Sequence, residues 1–179
     1  HYITDTESYN HYFGWYGGKM EDNGPWLDNF HEKHPDICLG VSEYGCEGII
    51  TYHGPEPKCK DYSEDYQALY HEHMAKVLDE VPGLKLIGAH FGGYRRWESA
   101  LDVYKPGTLY FDISSSMHFM SKELIFRFFD RYGIENFFWG TDFPMWDHKE
   151  ELELFFSLGL SEEQNRMILY DNFAKAYGL

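Results

Sequence analysis

At 179 residues the chain is long enough to bury a proper core, yet too short for a whole (β/α)₈ barrel, which takes about 250 residues. Its 43% hydrophobic and 19% aromatic content excludes a disordered chain. A net charge of −15, from 30 acidic and 15 basic residues, argues against nucleic acid and anionic membrane as partners. No apolar run approaches the ~20 residues of a membrane span, and no signal peptide opens the chain. The chain starts at His1 in what reads as mid-domain sequence, so a fragment is expected. Cys38, Cys46 and Cys59 are an odd count without C-x₂-C spacing, which reads as reduced thiols in a cytoplasmic protein.

Taken in order, Tyr2–Asp5 and the aromatic run Tyr9–Tyr16 predict a strand that ends in the mobile loop Gly17-Gly18. Asn23-Gly24-Pro25 opens a short helix with Trp26, Leu27 and Phe30 on one face. Ile37–Gly45 reads as the second strand, its last polar residue being Glu43. After a Gly/Pro-rich loop, Asp61-Tyr62-Ser63-Glu64 reads as a capping box. It starts a helix with Tyr66, Leu69, Tyr70, His73, Met74, Val77 and Leu78 at helical spacing, stopped by Pro82-Gly83.

Leu84–Ala89 predicts a third strand, a helix follows around Trp97–Val103, and Thr108–Ile113 predicts a fourth strand. Ser121 caps a helix burying Leu124, Ile125, Phe128 and Phe129. The fifth strand lies in Asn136–Pro144, an apolar run that ends in Gly140, offers Asp142 and is stopped by Pro144. Asp147-x-x-Glu150 and Ser161-x-x-Gln164 then cap two helices, the last burying Ile168, Leu169, Phe173, Ala174 and Tyr177. Five strands alternating with helices predict an α/β fold, a partial TIM (β/α) barrel of about five parallel strands.

In such folds the chemistry sits at the C-terminal mouths of the strands. Asp142 follows the fifth strand and His90 the third, each a single polar residue at an apolar strand's end; Asp142 reads equally as a turn residue. Asp112, near the end of the fourth strand, either adds a carboxylate or caps a turn. His71-Glu72-His73 lies in a helix, where i and i+2 face apart, so it is no metal pair. Ser114-Ser115-Ser116 lacks the glycines of a nucleophile elbow, and Gly92-Gly93 and Gly17-Gly18 are turn glycines.

Two resemblances attach to these motifs. Pro82–Gly93, Tyr110–Ser115 and Gly140–Asp147 resemble, in order and spacing, the sixth, seventh and eighth barrel strands of the amidohydrolase-related family of hydrolases and decarboxylases. Asn10–Tyr16, Ser42–Gly48 and Asp61–His73 resemble the barrel domain of glycoside hydrolase family 2, the β-galactosidases and β-glucuronidases. The two meet within Ala75–Glu80, which fits either family's helix, so a chimera of residues 1–80 and 81–179 joined in that helix is expected.

The first resemblance implies a hydrolase or decarboxylase with Asp142 and His90 as catalytic and metal-adjacent groups. It also implies a divalent metal, Zn or Mn, weakly held because the family's His-x-His strand and ligand-bearing fifth strand are not in this chain. The second implies Glu43 as a retaining nucleophile hydrogen-bonded by Tyr12, with the acid/base partner upstream of His1; Glu47 is close in sequence, and Trp15, Tyr16 and Trp26 are either sugar platforms or core. A third reading is a catalytically inactive barrel scaffold. The expected partner is a small-molecule substrate, together with a homo-oligomer through exposed barrel edges.

Overall fold

The structure, a computed structural model, describes residues 6–81 and 83–179. Tyr2–Asp5 of the first predicted strand and Pro82 of the helix stop lie outside the described residues. The chain divides into two compact units, His1–Leu84 and Lys85–Leu179. Among the described residues five strands form two parallel sheets, one of two strands and one of three. The parallel α/β layout is therefore present, but the ladders do not run as one five-strand arc.

In the first unit, β1 (Thr6–His11) pairs with β2 (Cys38–Tyr44), and α1 (Asn23–Lys33) lies in the crossover that a parallel pair requires. The register runs Thr6↔Cys38 to Tyr9↔Val41, then shifts so that Asn10 faces Glu43. Such a bulge re-aims the side chains that follow it. β1 stops at His11, within the aromatic run, because the chain then turns: Gly14 N–H donates to Gly17 O (2.9 Å) and Trp15 N–H to Tyr12 O (3.0 Å). Gly14 has φ +92, and a Cβ there would lie 2.8 Å from the Met20 backbone nitrogen, so only glycine fits.

Helix α2 (Glu64–Asp79) starts one residue pair later than the capping-box reading placed it. Ser63 is the cap and accepts from Tyr66 N–H, while Asp61 Oδ1 accepts from both the N–H and the hydroxyl of Ser63. Tyr66, Tyr70 and Met74 line one helical stripe and pack with Trp15 into a small core. Leu69, expected on that stripe, is exposed.

The second unit stacks β3 (Ile87–Gly88), β4 (Tyr110–Asp112) and β5 (Phe137–Phe138) in sequence order. α3 (Trp97–Val103) and α4 (Lys122–Tyr132) fill the two crossovers. Ser121 caps α4 as the sequence predicts, and Ile125, Phe128, Phe129 and Tyr132 turn inward. Phe111 stacks on Phe137 (5.1 Å), Phe91 meets Phe128 edge-on (5.2 Å), and Tyr132 donates its hydroxyl proton to Leu101 O (2.8 Å) at the end of α3.

These strands are shorter than the apolar runs that predict them. The left-handed residues His90 and Phe91 bend the chain away just after β3. Beyond β5, Trp139 N–H leaves the ladder and donates to Ile168 O (2.9 Å). That carbonyl belongs to a π turn, Met167–Asp171, set between α6 (Glu162–Arg166) and α7 (Asn172–Tyr177). Upstream, α5 (His148–Ser157) is capped by Asp147, which accepts from Lys149 and Glu150 N–H without a reciprocal bond from the Glu150 side chain. Ser161 and Gln164 form the full reciprocal box. Ile168 and Ala174 are buried, whereas Phe173 and Tyr177, expected inward, are exposed.

Asn172 ties this helical end to the last strand: its Nδ2 donates to Ile134 O and Phe137 O, both at 2.9 Å. Asn172→Ala should destabilise the second unit by about 1–3 kcal/mol, because one buried and one partly buried carbonyl lose their donor. Tyr170→Ala, at an exposed position, should stay within about 0.5 kcal/mol. Urea denaturation of both variants checks this.

Candidate active site

The C-terminal ends of the second unit's strands carry most of the chain's polar chemistry. Asp112 Oδ1 accepts from His90 N–H (3.2 Å), Ser114 N–H (2.8 Å) and the Ser114 hydroxyl (2.6 Å). Asp112 thus holds the turn through Oδ1. His90 Nδ1 lies 2.9 Å from Ser114 Oγ and 3.2 Å from Ser114 O. The one proton of that hydroxyl goes to Asp112, so toward His90 it can only accept, and Nδ1 carries the ring proton. Nε2 of the neutral ring is left as the proton acceptor.

The next serine holds the other predicted group. Trp146 Nε1–H donates to Ser115 Oγ (2.9 Å), and indole is a donor only, so the Ser115 proton goes to Asp142 Oδ2 (2.6 Å). His90 and Asp142, far apart in sequence, are therefore anchored on consecutive residues of one loop. The backbone is held in an uncommon conformation to do this: His90, Phe91, Arg95, Ser115 and Asp142 all have φ between +54 and +58. Such residues cost on the order of 1–3 kcal/mol each and cluster at functional sites.

Beside Asp142 lies a pair that the sequence reading missed. Glu151 of α5 is fully buried, and its Oε1 lies 2.6 Å from His118 Nε2. The approach is off the line of a hydrogen bond, and neither Glu151 oxygen has any other partner among the described residues. The His118 ring stacks on Trp146 at 4.2 Å. Glu151 shares an inward stripe with Phe155 and Leu158, and a carboxylate at i of an i, i+4, i+7 apolar set is the signal that would have found it.

In the first unit, Tyr12 donates its hydroxyl proton to Glu43 Oε2, and that hydrogen bond pushes the phenol up to about 12. Ser42 donates to Asn10 Oδ1 at 2.8 Å alongside. Glu43 is exposed at the end of β2, and Glu47 is exposed in the loop that follows. Trp15 is buried against Tyr66 as a core residue, Trp26 is half-buried among Tyr9, His11 and Phe30, and Tyr16 is exposed against Tyr12.

The donor set is small for a metal ion. Zinc sites use three or four protein ligands, whereas His90 and Asp142 offer two. Among the described residues there is no group of three or more His, Cys, Asp or Glu side chains placed to hold an ion. His71 is exposed and His73 half-buried on α2, consistent with different faces.

Burial raises the Glu151 carboxyl above its ordinary 4.5, the nearby His118 partly opposing this and Asp142 adding to it. The folded state therefore holds this proton more tightly than the unfolded chain. That contribution to stability is fully present below about 4.5 and is lost as pH rises through the raised value. Glu151→Gln removes the loss, so the variant should gain on the parent between pH 5 and pH 8, by about 1.4 kcal/mol per pH unit of elevation. Denaturation curves at the two pH values measure it.

Known proteins match the chain in two ways. A β-glucuronidase of Bacteroides fragilis is 34% identical over 87 residues, 45% of this chain and 12% of that protein. The structure of an FMN-binding β-glucuronidase from Facaelibacterium prausnitzii L2-6 is 72% identical over 45% of this chain and 12% of its own, with a TM-score of 0.43. The chain thus spans about an eighth of the length of these relatives. A 2,6-dihydroxybenzoate decarboxylase structure, 14% identical, covers 87% of this chain and 55% of its own with a TM-score of 0.52, which is a likeness of fold. Amidohydrolase-family proteins commonly use a divalent metal. The amidohydrolase family profile matches residues 34–179, so its reach begins well ahead of Ala75–Glu80 and overlaps the stretch that resembles the glycosidases. By that match the chain belongs to the amidohydrolase family.

Proposed function

We propose that the second unit carries the acid/base pair of an amidohydrolase-type site that acts on a small-molecule substrate by C–N or C–O hydrolysis or by decarboxylation. The observation that supports it is the Ser114-Ser115 pair, which leaves His90 Nε2 bare and Asp142 accepting a proton it does not own. In hydrolysis, Nε2 takes a proton from the attacking water and returns it to the leaving group. In decarboxylation, the protonated ring supplies a proton to the carbon that has lost CO₂. Asp142, which accepts the Ser115 hydroxyl proton, supplies the charge opposite to the imidazolium.

Zinc or manganese would find two donors here, and we propose that it binds loosely. The test is turnover of a panel of aryl carboxylic acids, lactones and amides, with metal supplied and withheld, by the parent, His90→Gln and Asp142→Ala. A loss of about 10²-fold or more in either variant is expected. A silent parent, or variants as fast as the parent, overturns the reading and leaves an inactive scaffold. Near-stoichiometric metal that disappears in Asp142→Ala would show a fuller ligand set than two.

The Tyr12–Glu43 contact favours a second reading, a retaining β-glycosidase half-site with Glu43 as nucleophile. Retaining hydrolysis needs a second carboxyl about 5 Å away. Release of 4-nitrophenol from the β-glucuronide or β-galactoside, abolished in Glu43→Gln, would establish it. The likeness of the chain to two families fits a chimera of barrel fragments, 1–80 and 81–179, joined within Ala75–Glu80. Its unpaired sheet edges suit a homo-oligomer, and its acidic surface a cytoplasmic setting.

A further inference from the structure

We propose that His118 and Glu151 form an ion pair and act as a positioning pair, setting through Trp146 and Ser115 the hydrogen bond that holds Asp142. Four contacts carry the inference. Glu151 Oε1 sits 2.6 Å from His118 Nε2, the His118 ring lies flat on Trp146 at 4.2 Å, Trp146 Nε1–H donates to Ser115 Oγ, and Ser115 donates to Asp142 Oδ2. A carboxylate with no exposed surface and no hydrogen-bond donor needs a counter-charge, and His118 is the group placed to supply it. His118 retains 22% side-chain exposure, so a proton can reach the pair from solvent.

With the proton on the imidazole, the cation lies over the indole face, an arrangement that strengthens the stack. Trp146 is then held with its N–H on Ser115, and the Ser115 proton stays on Asp142. With the proton gone, the stack loses its charge term and the indole its clamp. The charged groups around the pair are Glu151 on α5, Asp142 after β5, and Arg95, whose guanidinium lies 4.1 Å over Phe119 beside His118. The inference takes its catalytic meaning from the proposed role of Asp142, but its test needs no substrate and so can fail separately.

The experiment is ¹⁹F NMR of the protein labelled with 5-fluorotryptophan, the Trp146 line being assigned by Trp146→Phe. The Trp146 line should move in one step with pH while the other four tryptophan lines stay in place as reporters of folding. His118→Gln should abolish the step, and Glu151→Gln, which removes the opposite charge, should move it to lower pH. The ¹³C carboxyl line of Asp142, assigned with Asp142→Asn, should follow the same step. A Trp146 line flat with pH overturns the proposal, as does an Asp142 line that ignores the step or a step that survives His118→Gln. If Glu151→Gln fails to fold, the parent titration and His118→Gln decide.

Discussion

A single carboxylate oxygen, Asp112 Oδ1, takes three hydrogens at the end of β4, and the geometry of the strand ends follows from it. By accepting from the Ser114 hydroxyl it dictates which way that proton points, and so which nitrogen of His90 is protonated. By accepting from His90 N–H it also fixes the backbone turn that leaves β3. The loop it anchors then delivers Ser115 to Asp142. Packing supplies the rest of the rigidity, since Phe91, Phe111 and Phe137 lie beneath the same turn in one aromatic core.

Much of this was legible in the sequence. Apolar runs ending in one polar residue located all three strands of the second unit, and capping residues placed α4, α5 and α6 within a residue or two. Strand lengths were not legible, because each run continues apolar where the chain has already turned. Leu84 and Leu86 read as strand core and are exposed, while Trp139 reads as strand and bonds a helix carbonyl. His90 and Asp142 could be named from position alone, but the serines that orient them looked like a motif without glycines. His118 and Glu151 were invisible because their pairing spans a helix and a loop, and only the odd carboxylate in an apolar stripe hinted at it.

The first unit reads differently. Its core is a few aromatics around Trp15, and its sheet has two strands. Its hydrogen bonds run through single polar atoms: Asn23, fully buried, donates to Phe13 O and Met20 O and lies 2.8 Å from His11 Nδ1. Tyr12 and Glu43 meet here with the bulge at Tyr9/Asn10 setting their approach.

The π turn at Met167–Asp171 gives the C-terminal helices a fixed phase. One extra residue in that turn frees Ile168 O for Trp139 and brings Asn172 round to Ile134 and Phe137. Each α-helical residue advances the side chains by about 100°, so losing one residue there would swing α7 by more than a quarter turn. The Asn172 amide would then face away from the last strand. Length in this segment is consequently as constrained as composition, and natural variation in the chain should put its insertions and deletions in the surface loops and spare these five positions.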